Sequence, residues 1–295
     1  MRVLDPTLSP FEVQKTSDFA KWLLDIGEGR LQLQDDRVQL PSDMLLPPGK
    51  DSVPMLINSV YDSLHSTRSE ASLRQYFTGR AILAPLNKDV DILNADLLDQ
   101  FPGGPNVLHS ADEAVDTTGS GAVDAGASDL PTEVLNALAI PGIPLHELTL
   151  KIGCPAILLR NIDPTAGLCN GTRLIITKIS RRVLEAVIIT GPHSGDRCFI
   201  PRIPLTTNAN STLPFQLRRL QFPVRLAFAM SINKSQGQSL QRVGLYLLQE
   251  IFAHGQLYVA LSRATKYNSI YALLDDSEDG RKGLTKNIVY NEVLL

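Results

Sequence analysis

The sequence has little cysteine, one tryptophan and no hydrophobic run of the length that a membrane-spanning helix requires. Cys154, Cys169 and Cys198 are an odd number without a Cys-x-x-Cys spacing, which points to neither a disulfide framework nor a tetrahedral metal site. Buried free thiols are expected. The opening Met1-Arg2-Val3-Leu4-Asp5-Pro6 lacks the basic and then apolar segments of a secretory signal. A soluble, intracellular chain with no membrane contact is expected. With 295 residues and 43% apolar content, the composition is that of one large or two ordinary globular domains, and excludes a collagenous, coiled-coil or wholly disordered chain.

Basic residues are missing from one stretch altogether. Residues 89–150 carry 11 Asp+Glu and no Lys or Arg, whereas residues 151–295 carry 18 Lys+Arg against 9 Asp+Glu. The net charge of −3 therefore hides a basic last half of +9. Such asymmetry suggests a polyanion partner for one part of the chain, with an accidental surface imbalance as the alternative.

Local patterns divide the chain further. Ser17 precedes the stripe Phe19, Trp22, Leu23 and Ile26, a short amphipathic helix that Gly27 can close in a left-handed conformation. Ile57, Val60, Tyr61 and Leu64 repeat the helical spacing. Arg80-Ala-Ile-Leu-Ala84 reads as a buried strand, and Asn87 can cap a helix carrying Val90, Leu93, Leu97 and Leu98. Residues 102–131 are rich in Gly, Ala, Ser, Asp and Thr without a period, which predicts a disordered acidic insert. Four β-rich runs follow at 148–159, 172–179, 183–190 and 198–205, with Asn170-Gly171 as a hairpin turn, and suggest a small β-barrel. After residue 220 come a strand at 224–230, a strand at 243–248, a helix at 256–264 and a strand at 270–274. The expected architecture is one open α/β sheet, begun at residue 80 and resumed near 220, with the barrel inserted between its halves.

Two segments stand out chemically. The apolar strand from Leu226 runs directly into Asn233-Lys234-Ser235-Gln236-Gly237, gathering amides, a hydroxyl, an ammonium and a glycine at a strand's carboxyl end. That composition suits phosphate, although a plain polar strand-to-helix turn also fits. Gln256-Leu-Tyr-Val-Ala-Leu-Ser-Arg-Ala264 is a helix with Arg263 at its end, where a surface arginine balancing the helix terminus is the simpler reading. Together, in this order and about thirty residues apart, the two segments resemble motifs V and VI of Pif-type superfamily 1B DNA helicases, including relatives encoded by Helitron transposons. Leu150–Asp163 and Gly167–Leu174 resemble the family's SH3-like 2B barrel, residues 80–94 the opening of its second RecA-like lobe, and Met1-Arg2 the tail of motif IV.

The resemblance implies an α/β fold: the second RecA-like lobe of a P-loop helicase, a parallel sheet with an inserted SH3-like β-barrel. The implied domains are a helical segment at 1–79 joining a first RecA-like lobe, the start of lobe 2A at 80–101, the disordered insert at 102–131, the 2B domain at 132–206 and the rest of lobe 2A at 207–295. By resemblance Arg263 is the arginine finger on the γ-phosphate of ATP, and Arg2 also reaches the nucleotide. Gly237 belongs with Arg263 on the cofactor side. Asn233, Lys234, Ser235, Gln236 and Gly237 would contact single-stranded DNA, and no protein metal ligand is assigned. Asn87 and Lys88 are either further backbone contacts or only a cap and a solvated charge. Tyr258 is expected to pack between helix and sheet rather than stack a base.

A phosphoryl-transfer motor also needs a GxxxxGK[ST] loop and an acid for Mg²⁺. The one Gly-Lys pair, Gly49-Lys50, has Asp51 in place of the hydroxyl residue and Met44 in place of the first glycine. The Asp112-Glu113 pair follows linker composition instead of an apolar strand. These residues are thus expected to form the carboxyl-terminal half of an ATP- and Mg²⁺-dependent, 5′-to-3′ DNA helicase, from a gene model begun at an internal Met and without ATPase activity alone. Its partners would be single-stranded DNA and the missing first lobe. A monomer and nuclear placement, with the mitochondrion as alternative, follow by resemblance, as do roles in DNA repair, recombination and telomere maintenance. Two rivals remain: a non-catalytic single-strand-binding remnant, and a small-molecule α/β enzyme that would need one of His65, His109, His146, His193 or His254 joined to a carboxylate in a pocket.

Overall fold

The computed structural model describes residues 10–66, 69–115, 131–140, 142–207, 215–290 and 292. The chain forms two compact units, one of Met1–Thr67, Gln75–Gln100 and Phe228–Leu295, the other of Arg68–Arg74 and Phe101–Ala227. Among the described residues no helix is long and apolar enough to cross a membrane.

The first unit is built on four parallel strands in the order Ala229–Ser231, Arg80–Ala84, Arg242–Leu247, Ile270–Leu274. Ala81, Ile82, Leu83 and Ala84 are all fully buried, as expected of a central parallel strand covered on both faces. The helix Ser52–Val60 lays Leu56, Ile57 and Val60 onto this sheet. Its approach is so close that a Cβ on Gly244 would stand 2.8 Å from Val60 Cγ2, so the bare glycine sets the helix-to-sheet spacing. The short edge strand Ala229–Ser231 is held from outside by Asn94, whose side chain accepts from Ala229 N at 2.8 Å and donates to Ala229 O at 3.0 Å. Unpaired edge amides are thereby satisfied.

Residues 10–60 belong to this unit, not to a segment leading away from it: Phe19, Leu23 and Ile26 of Pro10–Gly27 are buried in one core with Ala81, Leu83, Val243 and Leu245, and Leu56 and Val60 of Ser52–Val60 pack against Gly244. The first helix begins at Pro10, seven residues before Ser17, and the left-handed residue beyond it is Gly29 (φ 71°) instead of Gly27.

The second unit is antiparallel. Strands Val224–Leu226, Pro155–Leu158, Arg173–Ile179, Val183–Ile188 and Arg197–Pro201 form one sheet in that order, and Ile203–Thr206, Gln216–Gln221 and Ala111–Val115 another. Asn106–His109 pairs with Glu147–Leu150. The expected disordered insert at 102–131 is therefore corrected over its first part, since 106–109 and 111–115 are paired strands; residues 116–130 lie outside the described residues. The inserted unit runs from 101 to 227, wider than the 132–206 read from the sequence. The run 224–230 is two strands, Val224–Leu226 in the antiparallel sheet and Ala229–Ser231 in the parallel one, because the boundary between units falls after Ala227.

A fully buried ion pair explains the order around Asp112. Arg219 faces Asp112 across the ladder and gives it Nε at 3.0 Å and Nη2 at 2.6 Å, both side chains having no exposure. Its remaining donors go to the carbonyls of Leu135 (3.0 Å), Leu138 (3.1 Å) and Pro144 (2.9 Å). All five guanidinium N–H groups are used, the condition under which a buried arginine is tolerated. Lys151 and Arg173 are buried too, so three cations of the basic half are internal.

Candidate nucleic-acid and nucleotide interface

The strand Ala229–Ser231 ends in a tight turn, Ile232–Ser235, and Gly237 follows with φ 78°. A non-glycine residue there would cost about 1–2 kcal/mol. Ser235 is fully buried, its hydroxyl donating to Ile232 O at 2.6 Å, so it shapes the turn instead of presenting its hydroxyl to a ligand. Asn233, Lys234, Gln236 and Gly237 are exposed. Parallel pairing of Ser231 with Ala84 brings the carboxyl ends of these neighbouring strands to one sheet edge. Exposed Asn87 and Lys88, which open the helix Asn87–Gln100, thus share an edge with Asn233 and Lys234. Burial raises the carboxyl pKa of adjacent Asp89, with the Lys88 charge opposing.

Arg263 follows the helix Gln256–Leu261, whose Leu257, Ala260 and Leu261 are in the core. Tyr258 packs on the first helix, where a Cβ on Gly27 would meet its ring at 2.9 Å. The Arg263 guanidinium reaches back to the preceding turn: Nη1 donates to the carbonyls of Ser235 (3.4 Å) and Gln238 (3.1 Å), Nε to Val259 O (2.8 Å) and Nη2 to Ser262 Oγ (2.8 Å). The two segments are also tied by backbone, Leu240 N to Arg263 O at 2.8 Å and Thr265 N to Leu240 O at 3.1 Å. Partial burial lowers the Arg263 pKa, but a guanidinium stays charged at any physiological pH. Its hydrogen-bond partners are neutral, so its charge is left uncancelled.

Arg263 lines an open cleft of about 690 Å³ with Lys15, Ser239, Ser262, Lys266 and Tyr267. Lys15 also sits 4.6 Å from the centre of the Phe11 ring, and Glu12 is an acid of the same lining. The Tyr267 hydroxyl donates to Asp43 at 2.7 Å, and burial followed by that carboxylate pushes its pKa up. Three cations against one acid make the cleft receptive to an anion. Sequence reading missed Lys15 and Lys266. Lys266 stands three residues beyond Arg263 and was discoverable by proximity, whereas Lys15 looks like any solvated helix charge. Arg2 lies outside the described residues.

Residues 133–179 match the model of the DNA helicase Pif1 2B domain. ATP-dependent DNA helicase PIF1 of Rattus norvegicus is 36% identical over 128 residues, 43% of this chain and 19% of the rat protein. That of Xenopus laevis is 32% identical over 177 residues, 60% of this chain and 24% of the frog protein. Solved structures agree in fold: Pif1 helicase from Candida albicans at 20% identity, TM-score 0.54, over 94% of this chain and 56% of that one. Pif1 helicase from Bacteroides in complex with ADP-AlF3 and ssDNA gives 19% identity and TM-score 0.55 over 100% of this chain and 53% of that one. The matches support a Pif-type helicase carboxyl-terminal region in this chain, the family model itself covering residues 133–179. What the chain matches is the carboxyl-terminal region of these superfamily 1B proteins, about a fifth to a quarter of the length of the curated relatives. The fold class is accordingly a RecA-like lobe with an inserted β domain.

The histidines bear on the rival reading. His146 Nδ1 lies 2.8 Å from Ser110 Oγ and 3.9 Å from Asp112 Oδ2, but Asp112 is fully buried and committed to Arg219. This is a packed polar network, not a pocket with a free base, and it does not revive a small-molecule enzyme.

Proposed function

We propose that this chain forms the second RecA-like lobe and 2B domain of an ATP-dependent, 5′-to-3′ DNA helicase. In this reading single-stranded DNA binds along the edge bearing Asn87, Lys88, Asn233, Lys234, Gln236 and Gly237, and Arg263 serves as the arginine finger. The observation that carries the reading is the bonding of Arg263 Nη1 to the carbonyls of Ser235 and Gln238 within a cationic cleft. A nucleotide's terminal phosphate is a stronger acceptor than a carbonyl. Turning Nη1 toward it releases both carbonyls, so the turn carrying Lys234 becomes free to shift against the DNA backbone. Binding and DNA grip are coupled through one guanidinium.

The cationic donor set of the cleft fits a polyphosphate: Arg263, Lys15 and Lys266 would hold it, and ATP would supply the phosphoanhydride whose cleavage drives movement. Mg²⁺ is different. Among the described residues no group of three His, Cys, Asp or Glu is placed to hold a metal ion, so we assign these residues no part in binding it. Hydrolysis then requires a first RecA-like lobe carrying the phosphate loop, because a finger stabilises only charge that another element has positioned. This chain alone is expected to lack ATPase activity. Nuclear placement is part of the same reading.

The deciding experiment maps the 5′ end of the native transcript and expresses any longer in-frame product that carries a GxxxxGK[ST] loop. Arg263→Ala is expected to lower its DNA-stimulated ATPase by roughly 10³- to 10⁵-fold while leaving single-strand affinity within a few fold. Undiminished hydrolysis would overturn the finger assignment. A second reading, a single-strand-binding protein without hydrolysis, draws on the exposed Asn233, Lys234 and Gln236 of the same edge. A native product without the loop that binds oligodeoxythymidylate in a salt-sensitive way would select it.

A further inference from the structure

Arg80 and Arg242 open neighbouring strands of the parallel sheet and stand opposite each other in its register. Like charges at paired positions repel. Asp62 Oδ1 offsets them in part, meeting Arg80 Nη2 at 3.2 Å and Arg242 Nη1 at 2.8 Å. One carboxylate shared by two guanidinium groups leaves positive charge over. Arg80 is otherwise engaged, with Nε on Val60 O (3.1 Å), Nη1 on Tyr76 O (3.1 Å) and its guanidinium 4.2 Å from the centre of the Tyr76 ring. The uncommitted donors of the pair therefore belong to Arg242.

The two arginines line an open cavity of about 510 Å³ with Gln241, Thr265, Lys266 and Ser269, and among the described residues no acid lines it. It lies at the amino ends of the strands, the opposite end of the sheet from Asn87 and Asn233. Gln241 is held over Gly79, donating from N to Gly79 O at 2.7 Å, and a Cβ on Gly79 would meet its side-chain amide at 3.1 Å. The Thr265 hydroxyl is spent on Leu240 O at 3.3 Å. Among the described residues no hydrogen bond or ion pair takes up Arg242 Nε and Nη2, the Lys266 ammonium, the Ser269 hydroxyl or the Gln241 side-chain amide. Three cations and one shared carboxylate leave two positive charges beside these free donors. Charged donors and a hydroxyl converging on one cavity suit a tetrahedral oxyanion, whose oxygens accept several charge-assisted hydrogen bonds at once.

We propose that this cavity is a second anion site, taking a phosphate-sized tetrahedral oxyanion on Arg242, Lys266, Ser269 and Gln241. It is distinct from the Arg263 cleft, although Lys266 lines both. It goes beyond the function proposed above and stands whether or not that cleft holds a nucleotide.

The test uses the full chain with inorganic phosphate, and potassium chloride at matched ionic strength as the control for screening. Lysines are acetylated with N-hydroxysuccinimide acetate and followed by peptide mass spectrometry. Phosphate is expected to slow the modification of Lys266 while leaving Lys88, at the other end of the sheet, unchanged. That protection should persist in Arg263→Ala. In Arg242→Ala the half-protecting phosphate concentration should rise roughly tenfold or more. Ser269→Asp places a carboxylate in the cavity without removing an ion pair, and is expected to abolish the protection; far-UV circular dichroism checks that both variants keep the fold. Loss of protection in Arg263→Ala overturns the proposal by returning the anion to the cleft. Protection unchanged in Arg242→Ala or in Ser269→Asp, equal slowing by chloride, or no slowing at all also overturns it. Slowing by oligodeoxythymidylate but not by phosphate would do the same, by assigning these donors to a nucleic-acid backbone.

Discussion

Arg219 in the inserted unit and Arg263 in the parallel-sheet unit both spend most of their donors on the chain itself, yet to opposite effect. Arg219 is fully buried and neutralised by Asp112, so its charge is invisible outside the fold. Arg263 is partly exposed and meets only carbonyl and hydroxyl oxygens, so its hydrogen bonds are satisfied while its charge is not. Hydrogen-bond saturation and charge cancellation are separate conditions, and a guanidinium that meets only the first is held ready for an anion.

The comparison breaks most severely at Arg219. Arg219→Ala leaves an unpaired buried carboxylate and is expected to cost about 3–5 kcal/mol, read as a lower urea midpoint for the inserted unit. Replacing both partners with apolar residues, Arg219→Met with Asp112→Leu, should recover most of that loss. A single substitution costing under about 1 kcal/mol would mean that Asp112 is not held as described. Arg263→Ala should cost only about 1 kcal/mol by the same denaturation, since no charged partner is stranded, and its large effect should be confined to turnover. A stability loss matching that of Arg219→Ala would erase the distinction.

The smallest effect concerns buried thiols, which sharpen the contrast by showing desolvation outweighing what partners there are, such as the Ala186 carbonyl to which Cys198 Sγ donates at 3.5 Å. Desolvation raises the Cys154 pKa from 9.0 to about 12 and that of Cys198 to about 11. Because the folded values are raised, the neutral thiols contribute stability below pH 9 that is lost as pH climbs toward 11–12, where the unfolded chain ionises first. In the native protein at pH 8, partly exposed Cys169 should be labelled by a thiol reagent well before the other two. Equal labelling of all three would show that the inserted unit opens readily.

The same distinction explains what was legible in the sequence. Arg80–Ala84 and Ile270–Leu274 read correctly because a strand covered on both faces is a plain apolar run. Gln216–Gln221 and Ala111–Val115 did not, since their inward positions include Arg219 and Asp112, and a buried ion pair looks from sequence like two surface charges. The run 224–230 read as one strand because apolar periodicity carries no mark of which sheet a residue joins. At the candidate site, Arg263 and the Asn233–Gly237 segment were visible as motifs. The inward turn of Ser235 and the contribution of Lys15 were not, because both depend on how the turn and the first helix pack.

The pairing of Ile82 with Ala229 has a consequence in time. During synthesis the central strand of the parallel sheet leaves the ribosome some 150 residues before its neighbours, a wait on the order of ten seconds at ordinary elongation rates. The inserted unit emerges in between and can close on its own antiparallel pairs, while Arg80–Ala84 waits without either of its strand neighbours. The nascent chain therefore passes through a stage in which the later-made unit is folded and the earlier-made strand is not, and the delivery of residues 229–247 ends it.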